Sequence, residues 1–269
     1  MTENNSQPNF SYIEEKKQIY LSSSSISCFK LNEGKNSQIR FYLENLLSYD
    51  INIIKYATIK LVHCEIPYSF YIINEYNNEL ILNNTSYFIP FGNYNAQTFI
   101  DYINNVIPQK FILNQTNGKF TIEHTTSFTI STSNINKIIG NDRNLTSILN
   151  TTTNKYIVEL PNLCDFSGTK NIYIRLPNIK LSNIDGINSN SNIFKSISCR
   201  ATPYNILFYN NIENSENLLS KDNINYIEVD ILDDDNNLIN FNSLDWSMCL
   251  EIKTLSKVQE FEIPEQFKK

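Results

Sequence analysis

Hydrophobic and polar positions alternate along most of this chain, and alternation at period two marks a strand with one buried face. The pattern is cleanest at Leu244 to Ile252. There Leu244, Trp246, Met248, Leu250 and Ile252 share one face, and Asp245, Ser247, Cys249 and Glu251 share the other. Phe120 to His124, Asn171 to Leu176 and Ile224 to Leu232 repeat it, and Lys17 to Leu31 reads as two short strands joined by the serines Ser22 to Ser25. Ile51 to Ile66 has apolar residues on both alternating faces, which predicts a strand covered on both sides or two strands run together. One stretch has another period: Ala96, Phe99, Ile100, Ile103, Val106 and Ile107 fall on a single helical stripe, with Asn95 as N-cap and Pro108 as stop. It should be the longest helix, and a weaker helical turn is expected at Ile135 to Ile139 before Gly140. Stretches rich in Asn, Ser and Thr at Asn141 to Asn154, Asn183 to Asn192 and Asn210 to Asn223 read as surface loops, because short polar side chains compete for backbone hydrogen bonds. The pattern therefore predicts a mainly β, mostly antiparallel protein with Trp246 buried.

Composition narrows what such a protein can do. The chain has 269 residues, 41% hydrophobic and 12% aromatic, enough for one large core or two modest ones. Six Gly, two His, two Met and one Trp leave almost no material for phosphate-binding glycine loops, histidine clusters or methionine-rich sites. A net charge of -6 makes a nucleic-acid surface unexpected, since binding phosphates takes clustered Lys and Arg. Met1 to Ser6 lacks the basic and apolar pattern of a signal peptide, and no run approaches the roughly 20 apolar residues that span a bilayer, so the protein is expected to stay where it is made. Cys28, Cys64, Cys164, Cys199 and Cys249 lie far apart without a C-x-x-C pair, and read as reduced, buried thiols.

The residues that invite chemistry have plainer explanations. His63 and Cys64 are adjacent in a predicted strand, where successive side chains point to opposite faces and cannot bond each other. No G-x-S-x-G elbow nominates a nucleophilic serine. Asp233, Asp235 and Asn237 have the spacing of a calcium loop, but Leu238 stands where the EF-hand needs Gly and Leu244 where it needs Glu. A hairpin turn is the better account, with a weak surface calcium site as the alternative. The sequons at Asn4, Asn9, Asn83, Asn84, Asn114, Asn144 and Asn150 match what chance gives in a chain so rich in Asn, Ser and Thr. The inventory predicts no enzyme, no cofactor and no metal.

Three stretches carry a resemblance. They are Glu65-Ile66-Pro67-Tyr68-Ser69-Phe70-Tyr71-Ile72-Ile73, then Ile89-Pro90-Phe91-Gly92-Asn93-Tyr94-Asn95 leading into the helix, and Asp230 to Phe241 ending in Asp245-Trp246-Ser247-Met248. Together they resemble the penton or minor capsid proteins of virophages, Polinton-like viruses and related eukaryotic double-stranded DNA viruses. The resemblance spans residues 40 to 253 and implies an antiparallel jelly-roll sandwich with one short helix, about 96–107, in an insertion. It also implies a structural virion protein, made in host cytoplasm or a viral factory, that forms vertex pentamers with itself and meets the major capsid protein. A spike or fibre attachment protein, a lectin-like module and a glycan hydrolase on a β-scaffold are the competing readings. The expected layout is an N-terminal arm with the first strands at 1–36, a jelly-roll domain at 37–253 and a tail at 254–269, with a division near 153 as the alternative. Met1 to Lys16 is expected to be a loosely held arm, in which Phe10, Tyr12 and Ile13 are the candidate interface residues because a partner could bury them.

Overall fold

The computed structural model describes residues 10–32, 34–48, 50, 53–181, 193–220 and 223–259. The chain opens with four strands: β1 (Phe10–Ser22), β2 (Cys28–Lys30), β3 (Gln38–Leu47) and β4 (Ile54–Pro67). A mixed segment follows, with β5 (Glu79–Leu82), β6 (Thr85–Phe88), α1 (Ala96–Val106), β7 (Lys110–Asn114), β8 (Lys119–His124), β9 (Thr129–Ser131), α2 (Asn136–Ile139), β10 (Leu145–Thr146), β11 (Ile148–Asn150) and β12 (Lys155–Glu159). Six strands complete it: β13 (Asn171–Arg175), β14 (Ile193–Ser198), β15 (Ile206–Asn210), β16 (Asn217–Leu218), β17 (Ile224–Leu232) and β18 (Ser247–Gln259).

Two compact units result, one made of residues 1–69 and 171–269 and the other of residues 70–170. The second is thus inserted between β4 and β13. The division falls at 69/70 and 170/171 instead of near 153, because the strands after 170 pair with those before 69.

In the first unit the sheets have the orders β1-β18-β4-β15, with β16 also on β4, and β14-β13-β17-β3-β2. Its eight main strands pair as nested brackets: β1 with β18, β3 with β17, β4 with β15, and β13 with β14, all antiparallel. A long hairpin of four strand pairs rolled so that β18 joins β4 and β13 joins β17 is a jelly roll. Inward residues of both sheets build its core, including Ile19, Leu21, Ile59, Leu61, Leu250 and Ile252 from one and Ile39, Phe41, Ile172, Ile174, Val229 and Ile231 from the other. Trp246 is 1% exposed, packs edge-on against Phe41 with centroids 6.1 Å apart, and donates its indole N–H to Asn36 O at 2.6 Å.

The two-sided apolar pattern of β4 has a specific cause. Its pairing with β18 skips a residue at Lys55 and again at Val62, and each bulge flips the face that looks inward. The buried positions accordingly run Ile54, then Ala57, Ile59 and Leu61, then Cys64 and Ile66. β4 is one strand covered mainly on one face.

Several sequence boundaries move. The strand expected at Leu244 begins at Ser247, because Asn242 and Ser243 take left-handed conformations in a preceding turn. It then continues to Gln259, so residues 254–259 of the expected tail are strand, while 260–269 lie outside the described residues. Of the expected arm, residues 10–16 belong to β1 and pair with Gln259 to Lys253, whose backbone ladder orders them, and residues 1–9 lie outside the described residues. Asn141 to Asn154 contains β10 and β11, and Asn210 to Asn223 contains β16, while Asn183 to Asn192 lies outside the described residues.

The inserted unit combines the sheets β10-β9-β5-β6 and β11-β12-β8-β7 with two helices. Asn95 and Thr98 form a reciprocal capping box at the start of α1, which buries Phe99 and Ile103. Ile107 is already extended, as the residue before a proline prefers. Phe99 lies 5.4 to 5.9 Å, centroid to centroid, from Phe111, Phe120 and Phe166, so the core here is built around aromatic rings. Gly140 ends α2 with φ +82°, and a Cβ there would stand 2.3 Å from Asn162 O. Only glycine satisfies both the backbone angle and the close approach.

Candidate interaction surface

The candidate interface residues lie on β1, an edge strand of the first sheet. Phe10 pairs through its backbone with Gln259; its side chain is outside the described residues. Tyr12 and Ile13, opposite Lys257 and Ser256, are each 49% exposed, and Lys55 Nζ lies 4.8 Å from the Tyr12 ring centroid. Because they are consecutive they project from opposite faces, so they form two contacts and not one patch. From Tyr12 to Gln18 every residue of β1 is exposed, Glu14, Glu15, Lys16 and Lys17 among them.

The other edge of the same sheet carries an apolar surface that sequence reading missed. On β15, Leu207 is buried while Ile206 and Phe208 are 64% and 65% exposed, and Tyr204 and Ile212 just outside the strand are also exposed. The available signal was the alternation Tyr204, Ile206, Phe208, with no charged residue from Ala201 to Ile212.

Outer faces of the jelly roll are held by ion pairs between opposed residues of adjacent strands. Arg40 on β3 contacts Glu228 on β17 at 2.9 Å, Lys60 on β4 contacts Glu251 on β18 at 2.9 Å, and Arg175 on β13 contacts Asp230 on β17 at 2.7 Å. Asp230 and Glu251 are buried, which sequence alternation had placed in solvent for Glu251. The segment after β15 lies against the first sheet through the same chemistry: Lys253 Nζ is 2.6 Å from Glu216 Oε2, Thr58 donates to that oxygen at 2.9 Å, and Lys60 donates to Asn214 Oδ1 at 2.8 Å. Burial would push the Glu216 carboxyl up, but these hydrogen bonds and the ammonium charges outweigh it and hold the group below its ordinary value.

The residues that invited catalysis are separated. Cys64 is fully buried on the inner face, and burial pushes its thiol up to about 12, so it is protonated at neutral pH and a poor nucleophile. His63, on the opposite face, pairs through its backbone with Asn210 and Cys249. Cys199 is likewise pushed up to about 12 by burial. His124 Nδ1 is 2.9 Å from the Thr126 hydroxyl. In the Asp233–Asn237 turn the Asp233 carboxylate accepts from the backbone N–H of Asp235 and Asn237, both at 2.8 Å, while Asp234 accepts from Asn171. Asn236 takes φ +63° and Leu232 bridges to Leu238, so the run is a tight turn whose carboxylates serve the turn and the neighbouring strand. Among the described residues no group of three or more His, Cys, Asp or Glu side chains could hold a metal ion, and no helix is long and apolar enough to cross a membrane.

No protein-family model matches the chain, and no curated protein matches it. Among solved structures it is similar to the mavirus penton protein, at 13% identity and a TM-score of 0.42, over 88% of this chain and 99% of that one. It is also similar to a chain of the Sputnik virophage structure, at 11% identity and a TM-score of 0.40, over 92% of this chain and 98% of that one.

Proposed function

We propose that the chain is a structural protein of a virus particle, a minor capsid (penton) subunit that assembles with copies of itself at the vertices of an icosahedral capsid and abuts the major capsid protein. The observation that carries this reading is the nested jelly-roll pairing of β1 to β18, found in the chain whose sequence words resemble those of pentons. Those words occupy structural junctions: Glu65 to Ile73 leads from β4 into the inserted unit, Ile89 to Asn95 leads into α1, and Asp230 to Met248 spans the turn from β17 into β18. Both edges of one sheet also expose aromatic and aliphatic side chains of the kind that subunit contacts use. Tyr12 and Ile13, with Phe10, are contacts to a neighbouring subunit in this reading.

A viral attachment protein is the second reading, favoured by Phe88 and Phe91, which are 66% and 51% exposed on the inserted unit. Native mass combined with negative-stain imaging of the purified protein separates the two. Five-fold rings, and the chain's presence in purified particles, are expected. A three-fold assembly overturns the penton reading in favour of attachment, and a monomer at all concentrations that is absent from particles overturns both.

A further inference from the structure

Among the described residues, both edges of the β1-β18-β4-β15 sheet lack a partner strand, and the two edges are built differently. In β1, Glu14 to Lys17 place charges on both faces, a device that keeps foreign strands from pairing. The second half, Gln18 to Ser22, has no charge, and Tyr20 stands 71% exposed on the outer face. β15 itself carries no charged residue and exposes Ile206 and Phe208; the charges beside it belong to its neighbours, Glu65 opposite Phe208 on β4 and Lys195 Nζ 5.2 Å from the Tyr209 ring centroid. An uncharged, apolar, unpaired edge is a template for a further strand.

We infer that β15 of one copy pairs edge to edge with Gln18–Ser22 of a second copy, so that the sheet continues from subunit to subunit; this rests on the self-assembly reading above. Strand direction permits it. Each of β1, β18, β4 and β15 is antiparallel to its neighbour, so β15 runs opposite to β1, and a second copy set in the same orientation offers its β1 antiparallel to β15. The contact is head-to-tail, the kind that closes into a ring.

Side-chain parity picks one register. Leu207 on β15 and Ile19 and Leu21 on β1 face the core, whereas Ile206, Phe208 and Tyr20 face outward. Setting Phe208 opposite Tyr20 places Leu207 opposite Leu21, Ile206 opposite Ser22, Tyr209 opposite Ile19 and Asn210 opposite Gln18. Every inward position then meets an inward one, and an aromatic pair forms outside. A one-residue slip turns each apolar position to the wrong face. A two-residue slip either sets Asn210 against Lys16 or carries Ile206 past Ser22 into the turn where Ser25 N–H donates to Ser22 O. The charged half of β1 thus confines the pairing to its second half.

The test uses the full chain and reads native mass across concentration. Phe208→Glu and Tyr20→Lys each change an exposed side chain; because Phe208 stands opposite Glu65, the first is made together with Glu65→Gln, and each is then expected to keep the wild-type melting curve while losing the oligomer. The double variant sets opposite charges face to face and is expected to regain it. Opposed strand residues hold their Cβ atoms roughly 4.5–5.5 Å apart, close to disulfide reach. Cys249 lies opposite Tyr20 on β18, so both cysteine variants are made in a Cys249→Ser background; oxidising a mixture of Tyr20→Cys and Phe208→Cys should then yield a cross-linked dimer that neither variant gives alone and the parent chain does not give. A five-fold oligomer that survives Phe208→Glu and yields no such cross-link overturns the pairing while leaving the capsid reading standing. Loss of the oligomer in the single variants with neither recovery in the double nor the cross-link also overturns the pairing. A monomer at all concentrations overturns both.

Discussion

The two units of this chain make their cores by different routes. In the jelly roll, the outer brackets join strands far apart along the sequence, Ser22 with Ser247 and Gln38 with Asp230, and only β2–β3 and β13–β14 pair near neighbours. In the inserted unit, two tight hairpins pair close neighbours, Leu82 with Thr85 and Asn114 with Lys119, β9 and β12 join them across at most about fifty residues, and α1 is capped by its own residues. The jelly roll buries Phe41, Phe194, Phe241 and Trp246 among aliphatic side chains, whereas the insert gathers Phe99, Phe111, Phe120 and Phe166 into one cluster. An architecture of distant pairings therefore depends on every strand, whereas one built mainly of tight hairpins depends on a few large side chains.

The most severe test removes residues 247–269. That deletion takes out β18, which lies between β1 and β4, leaves the backbone edges of both unpaired and removes Met248, Leu250 and Ile252 from the core. Amide hydrogen exchange should show protection lost throughout 10–69 and 171–246 but retained in β7, β8 and α1. Protection lost equally in the insert would show that the two units do not hold their cores independently.

Single substitutions come next. Trp246→Ala should cost about 3–5 kcal/mol through lost transfer energy and a cavity, and it also leaves Asn36 O without the indole donor. Phe99→Ala should cost a similar amount, about 3–5 kcal/mol, by opening the aromatic cluster. Denaturant titration followed by residue-level exchange should assign each loss to the unit carrying the substitution. A smaller effect, about 1 kcal/mol, is expected for Asn95→Ala, which removes the side-chain acceptor from Thr98 N–H and loosens the first turn of α1.

Acid should separate the units most finely. Glu216 in the jelly roll titrates below its ordinary value of 4.5 when folded, so the stability it contributes is present above that pH and is lost as pH falls through the lower folded value. In the insert, the Ser167 hydroxyl and backbone N–H, with Lys170, hold Asp165 at about 2 against an ordinary 3.8, so its contribution is lost only between those values. Exchange around Thr58, Glu216 and Lys253 should begin to rise just below pH 4.5, and around 165–170 only below 3.8. Lys253→Met should abolish the first change and leave the second.

How much of this was legible in the sequence follows from which signals are local. The α1 cap, its stripe and its proline stop are consecutive features, and they predicted the helix to within a residue. Trp246 declared itself by alternation with Met248, Leu250 and Ile252, although it precedes β18 and Leu244, which the same alternation put on the buried face, is exposed because it lies in the turn. The bulges in β4 are defined by pairing with β18, some two hundred residues away, so the parity switch looked like two buried faces. β1 between Phe10 and Lys16 looked like an arm because its charges mark an edge strand, and a charged edge and a solvated arm read alike until the partner strand is known. The surface on β15 was missed because an exposed Phe beside a buried Leu has the signature of any half-buried strand.

The nested pairing also sets a clock. Ser22 of β1 meets Ser247 of β18, so 225 residues (247 minus 22) must be added by the ribosome before the first strand can begin to pair. At about 5–20 residues per second, β1 waits on the order of 10–45 s. For that interval Gln18 to Ser22 and the apolar positions Ile13, Ile19 and Leu21 stand unpaired in a crowded cell. Glu14, Glu15, Lys16 and Lys17 sit in the middle of the waiting strand, where charge suppresses premature association between nascent chains.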